Sequence, residues 1–189
     1  MSYLRSFIYP NSAEPSWRSM LSKSDYQVPP FWRDWLADRG SLTQRLSAAS
    51  DRDLSVKVIN QQLEVPRLSE RQALSLGGRK LAMIREVILY GVGQPWVYAR
   101  SVVPMTTLTG RLRKLRHLDN RPLGALLFKD PSMTRGPVQI ACFKSNTKAL
   151  PKALDNEPVW GRRSVFRLDA KPLLVTEVFL TGFNAGLRE

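Results

Sequence analysis

Two pairs of β-branched and aromatic runs, each pair joined by a short turn, constrain this chain most. KLAMIREVILY (80–90) and WVYARSVVP (96–104) flank GVGQP, and RSVFRLD (163–169) and LLVTEVFL (173–180) flank AKP. Connections this short admit only hairpins, because parallel neighbours need a crossover of a dozen or more residues. DLSVKVINQ adds a strand ending near Asn60, with Leu54, Val56 and Val58 on one side. VQIACF, within the Pro-rich stretch 129–158 that otherwise reads as loop, is a further short strand.

Helical signals gather between the hairpins. FWRDWLADRGSLTQRLSAAS breaks at Gly40 into two pieces, the second opening with Ser41 and Gln44 in capping-box spacing. RLRKLRH (111–117) carries Leu112, Leu115 and Leu118 at an i, i+3 spacing, which predicts a buried stripe. In NRPLGALLF, Asn120 or Arg121 is placed to cap a short helix with Pro122 in its first turn. Helices grouped this way predict an α+β single domain, an antiparallel sheet with helices on one side. Its expected extent is 31–189, after an irregular extension over 1–30 rich in Ser, Pro and Trp.

Composition narrows the chemistry. With one cysteine, Cys142, and one histidine, His117, the chain has neither the ligands of an ordinary catalytic zinc nor a ready histidine-based nucleophile. It contains neither GxGxxG nor a phosphate-loop motif, so no metal, nucleotide or other cofactor is expected. The single thiol points to a reducing, cytoplasmic setting, and no export signal or membrane-spanning run is read. A net charge of +13 attracts anions of many kinds. The basic run at 111–117 reads as a solvated face and not as a nucleic-acid patch, because no aromatic residues are interleaved with its charges.

Charges inside strands are the remaining signal. Glu177 shares a strand face with Leu173, Val175 and Phe179, so it is either an ion-pair member or the wall of a cavity with a polar guest. In MIREVILY, Arg85 and Glu86 take opposite faces. An arginine fork there suits an acidic ligand and the glutamate suits a structural partner. Arg100, Arg162 and Arg163 are further candidate clamps.

Four segments in order, IREVIL, PWVYARSVVPMTTLTG, RPLGALLF and WGRRSVFRLDAKPLLVTEVFL, resemble the successive blocks of the chorismate pyruvate-lyase family, over residues 35–180. The resemblance implies a cofactor-independent enzyme that converts chorismate to 4-hydroxybenzoate and pyruvate at the first step of ubiquinone synthesis. It also implies an antiparallel sheet with helical flaps over an enclosed site. By similarity, Arg85 binds the ring carboxylate and Glu177 meets the hydroxyl end, where it either orients the hydroxyl or assists proton removal. The second carboxylate of chorismate calls for a second arginine, for which Arg100 is the weaker candidate read from its place in a strand. Main-chain contacts carry over to Leu123 in PLG and to Leu42, where the family often has methionine. A cytoplasmic monomer without nucleic-acid partner or membrane insertion is expected. The alternative is a non-catalytic effector-sensing domain of related fold.

Overall fold

A computed structural model describes residues 14–20, 27–143 and 158–186. Parts of the N-terminal extension (1–13, 21–26) and of the loop expected at 129–158 (144–157) lie outside the described residues. In chain order the elements are β1 (Arg18–Ser19), α1 (Pro30–Ala37), α2 (Leu42–Ala49), β2 (Leu54–Glu64), α3 (Leu68–Ala73), β3 (Ala82–Gly91) and β4 (Gln94–Pro104). A 3-10 helix (Gly110–His117), α4 (Leu123–Leu127), β5 (Thr134–Arg135), β6 (Gln139–Phe143), β7 (Val159–Leu168), β8 (Lys171–Phe179) and α5 (Thr181–Gly186) follow.

One antiparallel sheet of eight strands runs β1-β6-β7-β8-β4-β3-β2, with β5 pairing β7 beside this path. Both expected hairpins form. Val92 and Gly93, at φ 49° and 72°, turn β3 into β4, and Asp169 and Ala170, at 48° and 63°, turn β7 into β8. Such primed turns match the right-handed twist of the strands they join. Strand β2 alternates as expected but runs on past Asn60 to Glu64, its register shifting between Val58 and Asn60.

One face of the sheet carries most of the helices and two apolar clusters. At one end Trp35 and Leu36 of α1, Leu42 and Leu46 of α2 and Phe183 of α5 pack on Val87, Leu89, Val97 and Phe179. At the other end Leu112, Leu115 and Leu118, with Leu123 and Leu127 of α4, pack on Met83, Val103, Phe166 and Leu173. Leu112 and Leu115 are fully buried, a stabilisation of about 2 kcal/mol each relative to exposure. Their i, i+3 stripe belongs to a 3-10 helix, whose three residues per turn stack every third side chain in one line. Helix α4 begins one residue later than expected, with Pro122 itself at the N-cap and no capping side chain.

The opposite face is covered more thinly. Leu74, just after α3, packs with Ile84, Val102 and Leu174, while Trp17, beside β1, packs edge-on against Phe143.

Candidate active site

Between the two apolar clusters the helix-covered face carries a polar belt. Cross-strand partners place Arg85, Ser101, Val175 and Ser164 in one row across β3, β4, β8 and β7. The next row is Val87, Ala99, Glu177 and Arg162. Five of these eight side chains are polar at positions where the flanking rows are apolar. Arg85 and Glu177 are separated by two strand spacings of ~4.8 Å and one same-face step of ~6.8 Å, so their Cα atoms lie roughly 12 Å apart. The floor between them is the small or short side chains of Ala99, Ser101 and Val175.

Arg85 is buried, 2% exposed. One terminal nitrogen, Nη2, donates to the carbonyls of Asp119 (2.7 Å) and Arg121 (3.2 Å), which anchors the guanidinium to the loop between the 3-10 helix and α4. Its Nε is buried with no hydrogen-bond partner. A buried donor without an acceptor costs about 1–3 kcal/mol, more on a charged group, so it marks a place where an acceptor belongs. Burial pulls the Arg85 pKa below the ordinary arginine value, and the charge of Asp119 offsets part of that.

Glu177 turns out to belong to an ion pair while keeping part of its side chain exposed. Arg162 Nε donates to its Oε2 at 2.7 Å. Arg162 Nη1 donates to the carbonyls of Trp35 (2.7 Å) and Asp38 (2.6 Å), which ties the pair to the C-terminal end of α1. Glu177 Oε1 accepts no hydrogen bond among the described residues. Although β8 is flanked by β4 and β7 and faces the helices, the side chain of Glu177 keeps 19% exposure, and Val175 is likewise only partly buried. The helices therefore do not fully cover this part of the sheet. Gly161 leaves no room for a side chain here, since a Cβ would sit 2.7 Å from the Phe143 ring of β6 and 3.1 Å from the Glu177 carbonyl.

Leu42 and Leu123 are the first residues of α2 and α4, and the first-turn N–H groups of any helix lack intrahelical acceptors. Ser41 Oγ takes one of those in α2, from Gln44, at 3.4 Å. The two helix starts meet closely: a Cβ on Gly124 would lie 3.1 Å from Thr43 Oγ1. The positions singled out for main-chain contacts thus sit where two helix N-termini converge.

Arg100 is not part of this constellation, which corrects its expected role as a second clamp. It pairs with Thr176 while its neighbour Ala99 pairs with Glu177, so its side chain points to the opposite face of the sheet. There it is already paired with two carboxylates, donating to Glu70 through Nε (2.7 Å) and Nη2 (3.3 Å) and to Glu86 through Nη1 (2.8 Å). Tyr98 and Asn60 also donate to Glu86, which has the structural role its side of β3 suggested. Burial pushes the Glu70 and Glu86 carboxyls up, but Arg100, joined by Arg67 at Glu70 and by Tyr98 and Asn60 at Glu86, outweighs it, and both end below the ordinary value. Arg163 shares that face, donating to Gln139 and Ser69 with Trp17 under its guanidinium.

One residue of the belt was not legible in the sequence. Arg135 of β5 donates from Nε to Ser164 Oγ at 3.1 Å and lies over the Phe166 ring, 5.1 Å from its centroid. A two-residue strand inside a Pro-rich stretch has no periodicity to reveal which way it faces. Among the described residues no group of three or more His, Cys, Asp or Glu side chains is placed to hold a metal ion.

This architecture is shared with solved structures. PhnF from Mycobacterium smegmatis superposes with a TM-score of 0.52 at 15% identity, over 77% of this chain and 65% of that one. The ligand-binding domain assigned to a GntR-family transcriptional regulator of Bordetella bronchiseptica gives 0.51 at 14%, over 68% and 84%. At such identities the likeness shows the fold alone. The family described as chorismate lyase matches residues 16–183. A protein of Chromohalobacter salexigens named "Probable chorismate pyruvate-lyase" is 39% identical over 92% of both chains. One of Pseudomonas putida with the same name is 40% identical over 78% of this chain and 80% of its own. The chain belongs to the chorismate lyase family.

Proposed function

We propose that this protein is a chorismate pyruvate-lyase that binds its substrate between Arg85 and Glu177. In the reaction the bond from ring C3 to the enolpyruvyl ether oxygen breaks and the hydrogen at C4 is lost. The electrons of that C–H bond complete the aromatic ring of 4-hydroxybenzoate, and the side chain, gaining a proton, leaves as pyruvate. Aromatisation makes the step strongly downhill, so the protein has mainly to orient the substrate and place charge around it.

The observation that carries this reading is the polar belt with an unspent donor at one end and an unspent acceptor at the other. Arg85 Nε, buried without a partner, meets the ring carboxylate. Glu177 Oε1 accepts the hydrogen bond of the C4 hydroxyl while Arg162 holds Oε2. The ring lies over Ala99, Ser101 and Val175, and the N–H groups of Leu42 and Leu123 reach it from the converging helix starts. Helices α2 and α4 act as the flaps that close the site.

The same reading places the reaction at the first step of ubiquinone synthesis, in the cytoplasm, carried out by a monomer. It draws on the family and on the single-cysteine composition. Among the described residues no helix is long and apolar enough to cross a membrane. The test is to mix purified protein with chorismate and follow 4-hydroxybenzoate and pyruvate together. The two should appear in equal amounts. Binding of chorismate without turnover would instead indicate an effector-sensing domain.

A further inference from the structure

Chorismate is a dianion, and the site just described gives its second carboxylate no partner. We propose that Arg135 binds the enolpyruvyl carboxylate, a step that rests on the reading of the chain as a chorismate lyase. The row Arg85, Ser101, Val175, Ser164 crosses four strands, and Arg135 is hydrogen-bonded to its far end through Ser164 Oγ. The belt therefore has a guanidinium at each end, with Glu177 one same-face step to the side. Chorismate has the matching layout. Its ring carboxylate is at C1, its hydroxyl at C4, and the enolpyruvyl group at C3 is next to the hydroxyl. A ring held by Arg85 and Glu177 thus projects its side chain over β7 toward Arg135.

Arg135 has the capacity for this role. Nε is engaged by Ser164 and Nη1 reaches the Asp38 carbonyl only at 3.4 Å, while among the described residues the guanidinium forms no ion pair. Arg162, the neighbouring cation, is committed instead to Glu177 and to two carbonyls. Burial, followed by repulsion from Arg162, brings the Arg135 pKa down to about 10. An anion delivered there supplies the absent ion pair and relieves the crowding of two like charges. The Phe166 ring and Ser164 keep the fork oriented before substrate arrives.

The product separates this role from a structural one, because 4-hydroxybenzoate has lost the second carboxylate. For Arg135→Gln the KM for chorismate should rise roughly 10- to 100-fold, the loss expected for a charge-assisted hydrogen bond. The Kd for 4-hydroxybenzoate should stay within about twofold of wild type. Arg135→Lys, which keeps the charge but not the fork, should fall between, and it serves as the measured variant if Arg135→Gln does not fold. An unchanged KM, or product binding weakened as much as substrate binding, overturns the assignment of Arg135 while leaving the lyase reading intact. Wild-type protein that turns over no chorismate overturns that reading instead, and Arg135 with it.

Discussion

Arg162 and Glu177 face each other across the β7–β8 ladder, joined by a 2.7 Å bond from Nε to Oε2, with the cation 1% and the carboxylate 19% exposed. The pair is asymmetric: its cation is sealed and its anion stays partly exposed. Glu177→Gln preserves shape but removes the charge that Arg162 faces. Turnover should fall about 100-fold and stability by about 1–3 kcal/mol, because a buried guanidinium loses its counter-charge. Steady-state kinetics with thermal melting measures both, and unchanged turnover would remove Glu177 from the active site.

Arg85→Lys keeps a positive charge but not the planar fork that donates to Asp119 and Arg121 while leaving Nε for a ligand. A loss of about 100-fold or more in kcat/KM for chorismate is expected, along with weaker 4-hydroxybenzoate binding. Full activity in this variant would mean that a point charge suffices and that the fork geometry is irrelevant.

Gly161→Ala tests whether the spacing of β7 and β8 positions the carboxylate. The new methyl would press on the Phe143 ring and the Glu177 carbonyl. Overpacking of this kind costs about 1–3 kcal/mol, and kcat should drop more than the small change in volume suggests. A variant with wild-type kinetics would show that the strands can separate without moving Glu177.

The Glu70–Arg100–Glu86 network gives a pH signature away from the site. Both carboxyls are held below the ordinary glutamate value of 4.5, so the folded protein binds fewer protons than the unfolded chain in the window just beneath it. Their stabilisation is complete above pH 4.5 and is lost as pH falls through the folded values. Glu70→Gln should cost about 3 kcal/mol near neutrality and flatten the fall of Tm with acid below pH 4.5. A variant that loses Tm in parallel with wild type at every pH would contradict this.

Much of the fold was legible because hairpins write themselves locally. The turns at Val92–Gly93 and Asp169–Ala170 fix two strand pairs, and Ser41 announces α2. What was not legible depends on neighbours remote in sequence. Arg85 and Glu177 could be singled out as charges in apolar strands, but parity alone could not put them on the same face. That took the pairings of Ser101 with Arg85 and of Ala99 with Glu177. The same one-residue offset removes Arg100, which no local pattern could have excluded. Helix α3, with six residues, is too short for a periodic signal, and its clearest mark is Glu70 reaching back to the Arg67 N–H at 2.9 Å. Arg135 needed the β5–β7 pairing to be placed at all.

The claim that one ring spans Arg85 and Glu177 is tested most directly by pairing a ligand change with a protein change. Titrate 4-hydroxybenzoate and benzoate, which lacks the hydroxyl, into wild-type protein and Glu177→Ala. The wild type should prefer 4-hydroxybenzoate by about 10-fold or more, and in the variant the preference should vanish, because the hydroxyl has lost its acceptor. A preference of the same size in both proteins would show that the hydroxyl does not meet Glu177.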